Sequence, residues 1–303
     1  MLNARNLPLL FSLVWVTHVG ATTVADSGPI QSDLAAANAL LEARKIPEAR
    51  AAFEKILADS PGNPGANSSI ALLACDDGNW EKALRHASTA IATEPNHARH
   101  QYVWGAANGI AALKGGVFAK LGHAKKCLAA YKRAVELEPE SIQYRWALLN
   151  YFQQAPSFAG GDKALAYAQA EEIKKLDPER GRQALVQVYV SEKKYDLAFG
   201  EYDELLRVSP DDYDVLYQFG RLTLMSGQRL NEGMAAFRHC LTLPPPNQNE
   251  ALMRADLHWR LGNVWEAKNQ PDHAREEYNM SLKEDPAFRP ALRALEKLDQ
   301  TKK

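Results

Sequence analysis

The sequence repeats itself, and the period dictates what the chain can fold into. Prolines Pro61, Pro95, Pro139, Pro178, Pro210, Pro245 and Pro286 recur at spacings of 34, 44, 39, 32, 35 and 41 residues. Upstream of them stand small residues: Ala49, Ala83, Cys127, Ala166, Ala198, Gly233 and Ala274. Four residues further on come Phe53, Ala87, Tyr131, Ala170, Tyr202, Phe237 and Tyr278, and three beyond these Ile56, Ala90, Ala134, Ile173, Leu205, Cys240 and Ser281. Spacings of four and three place these positions on one face of a helix. The small residue lets a second helix approach, the larger side chain fills the gap beside it, and proline ends the helix for want of a backbone donor. A period near 34 residues with a terminal proline is the mark of stacked helix–turn–helix units, each burying its apolar face only against its neighbours. The 303 residues therefore read as one array rather than two globular domains, and the 47 alanines as its packing slots written repeatedly.

The pattern resembles the tetratricopeptide repeat (TPR) family. Trp104-Gly105, Phe219-Gly220 and Leu261-Gly262 carry the resemblance in first helices, and the small, aromatic, small and proline series carries it in second helices. It extends over residues 31–286. The resemblance implies an all-α fold, a right-handed superhelical solenoid of antiparallel helix hairpins with about seven TPR-like repeats and a C-terminal capping helix. The expected organisation is a signal peptide over 1–25, a solenoid over 26–286, and a capping helix with charged tail over 287–303, with Leu292, Leu295 and Leu298 on one stripe. Two long spacings mark insertions near 110–126 and 155–161, in consecutive repeats, which should place them side by side on one rim. The Ala-Pro…Gly-Gly turn ahead of Leu-Asp-Pro is similar to a group of exported bacterial TPR proteins. That similarity implies compartment and class but no reaction.

The N-terminus reads as an address. Arg5 is the only charge before Asp26, and Leu7–Val16 is an apolar run of the length a secretory signal uses. Thr23-Val24-Ala25 offers small residues for cleavage before Asp26, whereas a permanent anchor would need about 20 uninterrupted apolar residues. The expected location is periplasmic or extracellular, with no stable membrane insertion after cleavage.

Chemistry is scarce. The sequence has no Cys-x-x-Cys, His-Glu-x-x-His, Gly-x-Ser-x-Gly or phosphate-binding loop. His123 and Cys127 are spaced like two metal ligands, but two ligands do not make a zinc site, and Cys127 already fills a packing slot. His97 and His100 at a helix start read as a solvated pair. The expectation is a non-enzymatic protein with no catalytic residue, no cofactor and no metal.

A solenoid binds along the groove lined by its first helices. The expected groove positions are Trp146 and Asn150, Tyr217 and Arg221, Trp259 and Asn263, with Asn38, Tyr102 and Gln187 completing the series. A ring followed one turn later by an amide or guanidinium suits an extended peptide, because the ring covers a side chain while the polar group bonds the backbone. Leu34 and Tyr102 stand where carboxylate-clamping relatives place lysine, which disfavours that mode.

Net charge is −1, which argues against nucleic acid as a partner. The total conceals a local imbalance. Between Glu94 and Glu136 there is no acidic residue, while Arg99, Lys114, Lys120, Lys125, Lys126, Lys132 and Arg133 give that stretch a charge of +7. A basic rim at Lys114, Lys120, Lys125 and Lys126 would meet an anionic partner, whether an acidic protein segment, a phospholipid headgroup or an envelope polymer; the alternative is a solvated face balanced by acidic neighbours such as Asp76, Asp77, Glu171 and Glu172. The function expected is a protein- or peptide-binding scaffold of the cell envelope, its partner carrying an acidic segment. The alternative is an accessory subunit of an envelope enzyme system that binds a small molecule or anionic polymer. Oligomeric state is not legible in the sequence.

Overall fold

The computed structural model describes residues 29–246 and 249–301, so the N-terminal segment 1–25 lies outside the described residues. Among the described residues every regular element is helical. Successive helices pair as α1 (Pro29–Glu42) with α2 (Ile46–Asp59), α3 (Pro64–Asp76) with α4 (Trp80–Thr93), and α5 (Ala98–Lys114) with α6 (Val117–Leu137). Then come α7 (Ile142–Gln154), a 3₁₀ turn at Ser157–Ala159, and α8 (Lys163–Leu176). The later pairs are α9 (Pro178–Ser191) with α10 (Tyr195–Val208), α11 (Tyr213–Ser226) with α12 (Leu230–Thr242), and α13 (Glu250–Ala267) with α14 (Pro271–Glu284). A last helix, α15 (Arg289–Thr301), packs on α14. The chain forms two compact units, one ending at Ala166 and the other beginning at Tyr167, inside α8. No helix among the described residues is long and apolar enough to cross a membrane.

Two kinds of turn recur for local reasons. Within hairpins, the first helix ends on a residue in the left-handed region: Arg44 (φ 57°), Gly78 (φ 69°), Lys193 (φ 59°) and Asn269 (φ 57°). The next amide then reaches back to the helix, Lys45 N–H to Leu40 O (3.0 Å), Asn79 to Ala74 (2.8 Å), Lys194 to Tyr189 (2.9 Å) and Gln270 to Trp265 (2.9 Å). This six-to-one bond is the Schellman closure, which satisfies carbonyls the helix would otherwise leave unpaired. Between hairpins, the residue before the repeat proline ends the second helix. Ser60 N–H donates to Ile56 O (2.8 Å), Glu138 to Ala134 (3.0 Å) and Ser209 to Leu205 (2.9 Å). An N-cap follows three residues later in several repeats. Asn63 Oδ1 accepts from Ala66 N–H and Asp212 Oδ1 from Val215 N–H, both at 2.9 Å.

The repeat slots are the core. Ala49, Ala83, Ala166, Ala198 and Ala274 are fully buried, as are Phe53, Phe237 and Tyr278. The contact that fixes hairpin geometry is between a first-helix glycine and a second-helix ring. A Cβ on Gly105 would lie 2.5 Å from the Tyr131 ring, one on Gly220 2.6 Å from Phe237, and one on Gly262 2.3 Å from Tyr278. In the first unit Phe53 packs with Ala37, Leu41, Ala66 and Ile70. In the second, Phe199, Phe219, Phe237, Leu257 and Leu261 form one cluster. At the C-terminus α15 buries Ala291 and Leu298 with Leu295 beside them, while Leu292 is 40% exposed, because spacings of four and three from Ala291 define the contact stripe. Cys75, Cys127 and Cys240 are free and buried, and burial pushes each thiol up to about 12.

Two substitutions of opposite sign test these constraints by denaturant unfolding. Gly262→Ala is expected to destabilise by about 1–3 kcal/mol, because the added methyl overlaps a buried ring. Lys193→Gly is expected to stabilise by about 0.5–1 kcal/mol, because it relieves the left-handed strain of a residue that bears a Cβ.

Candidate functional site

In the second unit the first helices α9, α11 and α13 carry Gln187, Tyr217, Arg221, Trp259 and Asn263, all half-buried. Two residues absent from the sequence expectation, Asp256 and Arg260, organise Tyr217 and Trp259. Arg260 Nε donates to Asp256 Oδ2 (2.7 Å) and to Tyr217 Oη (2.8 Å), and Tyr217 Oη donates to Asp256 Oδ2 (2.6 Å). The Arg260 guanidinium lies 4.8 Å from the Tyr217 ring centroid and 5.1 Å from that of Trp259. Tyr213 stacks beside Tyr217 at 6.4 Å. Burial, with Asp256 beside it, pushes the Tyr217 hydroxyl up to about 12, so it remains a donor at neutral pH. One surface of rings and guanidinium thus spans α11 and α13. Its Asp256/Arg260 pair was legible as an i, i+4 ion pair. The polar members of the expected groove pairs have partners within the protein. Arg221 Nη1 donates to Gln218 Oε1 (3.0 Å), and Asn263 Oδ1 accepts from Tyr278 Oη (2.8 Å) across the hairpin.

In the first unit Tyr102 is a core residue. It is 9% exposed and packs its ring against Tyr131 and Tyr144 at 5.9 and 5.3 Å. Asn38, Trp146 and Asn150 are half-buried. Along the basic stretch Lys114 Nζ donates to Gly78 O (3.0 Å), while Lys120, Lys125 and Lys126 are exposed on α6. The Tyr151 hydroxyl lies 2.9 Å from Ala124 O on α6 and 2.6 Å from Ala159 O in the 3₁₀ turn. It brings the two inserted segments together. Phe158, beside that tie, is 75% exposed. His123 Nδ1 lies 2.9 Å from Asn108 Oδ1, and Cys127 is buried.

His97 and His100 depart from the solvated pair expected. His97 is exposed, but His100 is 3% exposed, because its helix turn faces α3. Ser68 Oγ lies 2.6 Å from His100 Nδ1, and His100 Nε2 lies 2.9 Å from Glu94 Oε2. The connectivity is that of a serine–histidine–carboxylate relay, yet the Ser68 side chain is fully buried and presents no hydroxyl to a substrate. The two histidine rings stack at 4.1 Å. Arg99 turns to Ser69 Oγ (3.0 Å). Glu94, His97, Arg99 and His100 share an open cavity of about 590 Å³ with Ile30, Leu34 and Asn63. Burial, reinforced by neighbouring His97, lowers His100 to about 4, against the opposing pull of Glu94.

That depression makes stability depend on acid. Between about pH 6.5 and 4 the unfolded imidazole is protonated and the folded one is not, so protons favour unfolding across that window. With Glu94, His97 and Arg99 the charged or titratable neighbours, acidification from pH 7 to 4 is expected to remove on the order of 2 kcal/mol through this group. Chelator-treated His100→Asn protein, followed by urea unfolding against pH, should lose that part of the slope.

Residues 40–103 match a family model described as tetratricopeptide repeat. No curated protein matches the sequence. Among solved structures, a tetratricopeptide repeat protein from Parabacteroides merdae superposes with a TM-score of 0.57 at 14% identity, over 89% of this chain and 98% of the other. A thermophilic TPR protein of Thermus thermophilus gives 0.53 at 21% identity, over 64% and 99%. PilW, a type IV pilus biogenesis factor, gives 0.52 at 14% identity, over 77% and 98%. The chain thus carries a tetratricopeptide repeat segment at residues 40–103, and its all-α fold is similar to that of solved tetratricopeptide repeat proteins.

Proposed function

We propose that the chain is a non-enzymatic scaffold of the cell envelope that binds an extended polypeptide along its first helices. The observation that carries this reading is the half-exposed surface of Tyr217, Trp259 and Arg260, held rigid by Asp256. Rings pre-oriented by a guanidinium supply contact area at low entropic cost, and the neighbouring polar groups suit peptide backbone. A tetratricopeptide-type fold supports protein interaction in general, and the matched segment supports that class here.

The second element of the proposal is the basic rim. Lys120, Lys125 and Lys126 project into solvent within a stretch free of acidic residues. Asp77, beside the Gly78 carbonyl that Lys114 reaches, is paired with Arg50 at 2.8 Å. The rim therefore steers an acidic partner segment toward the first unit. Compartment rests on the apolar run Leu7–Val16 and the small residues ahead of Asp26.

Crosslinking and pull-down from native envelopes tests the binding reading. The partner captured by the wild type is expected to be lost by the double variant Tyr217→Ala/Trp259→Ala. It should be weakened, with reduced salt dependence, by Lys120→Glu/Lys125→Glu/Lys126→Glu. Undiminished capture by all variants at low salt overturns the reading. Export is checked separately by intact mass of protein recovered from its native cells, which is expected to begin at Asp26.

A further inference from the structure

We propose that Glu94, His97 and His100 bind one divalent transition-metal ion of the zinc class, with its open coordination position facing the first-unit cavity. One ligand atom from each of the three residues lies within 4.8 Å of the others. Two imidazoles and a carboxylate form a donor set suited to zinc, and three protein ligands leave a position for water or an exogenous ligand.

The repeat pattern itself shows that these residues are spent unusually. At the corresponding turns Asn63, Ser141 and Asp212 cap the next helix, each side chain accepting an amide hydrogen bond. His97 occupies that position on α5 and makes no side-chain cap. Three residues further on, the equivalents of His100 are the buried residues Ala66, Tyr144 and Val215. A buried imidazole at this slot departs from those three turns: with Nδ1 bonded to Ser68 Oγ, Nε2 is aimed at Glu94 and the cavity. Orientation of a ligating histidine through its second nitrogen is the usual outer-shell device of metal sites.

The three ligand atoms already lie within 4.8 Å of one another. Tetrahedral zinc with bonds of about 2.0–2.1 Å places ligand atoms roughly 3.3 Å apart. Glu94 Oε2 and His100 Nε2, at 2.9 Å, already approach that spacing, and exposed His97 leaves its stack on His100 to complete the set. Arg99, on the same wall but drawn to Ser69, favours an anionic group in the open position. The metal site stands on geometry separate from the peptide-binding surface of the second unit.

The chain, stripped with a chelator and carrying no histidine tag, is titrated with Zn²⁺ by calorimetry and with Co²⁺ by visible absorption. One equivalent is expected to bind, with the visible bands of a four- or five-coordinate nitrogen/oxygen site. His97→Ala and Glu94→Gln, both at exposed positions and checked for folding by circular dichroism, should weaken binding at least about tenfold. Ser68→Ala should weaken it by about 10–100-fold through loss of orientation. His123→Ala, on a histidine paired elsewhere, should leave it unchanged. Absence of the cobalt bands, or affinity insensitive to His97→Ala and Glu94→Gln in folded protein, overturns the proposal.

Discussion

A ring seated on a glycine sets the distance between helices, and the rest of the structure depends on that distance. Gly105 under Tyr131, Gly220 under Phe237 and Gly262 under Tyr278 bring first and second helices so close that any Cβ would penetrate the ring. Where the ring shrinks to Ala87, the space is closed by small neighbours such as Ala71 and Ala83, all fully buried. Interiors tolerate neither voids nor overlap, so the two sides of each contact must change together. The turns then follow. A closely approached helix pair needs a short link, and the left-handed residue with its six-to-one bond supplies one even where the residue is arginine or lysine.

Against such regularity, departures are informative. Where α3, α7 and α11 have a capping side chain at their start and a buried residue three positions on, α5 has histidine at both, His97 and His100. The repeat needs no ion pair on the first-helix face of α13, yet Asp256 and Arg260 lock Tyr217 to Trp259 there. Tyr151 ties the two inserted segments through a single hydroxyl. Each departure places polar groups where packing alone would have used apolar ones, and buried polar groups persist only when partnered.

Much of the fold was legible because it is written in one-dimensional periodicity. The slots from Ala49 to Ser281 are buried as their spacings require, Tyr131 and Tyr202 only in part, since a helix converts intervals of three and four into a face. The candidate site was less legible. Tyr102 has the spacing of a groove residue, but Tyr131 and Tyr144 enclose it from neighbouring helices. Asn263 has the spacing of a free amide, but Tyr278 claims it across the hairpin. Arg260 and Asp256 were visible as a helical pair, while their grip on Tyr217 was not, because that contact joins residues roughly 40 positions apart.

By itself, then, the sequence determined the helix pairs, their slots, their terminating prolines and the acid-free stretch. These are properties of local chain chemistry, repeated until their meaning is unambiguous. Only the tertiary structure decided which polar residues remain available and which are consumed. It buried His100 against Ser68 and aimed it at Glu94, turned Arg99 aside, and fused the rings of α11 and α13 through one guanidinium. The physical reason is that a side chain's availability is set by what the next helix places opposite it, and that register is three-dimensional.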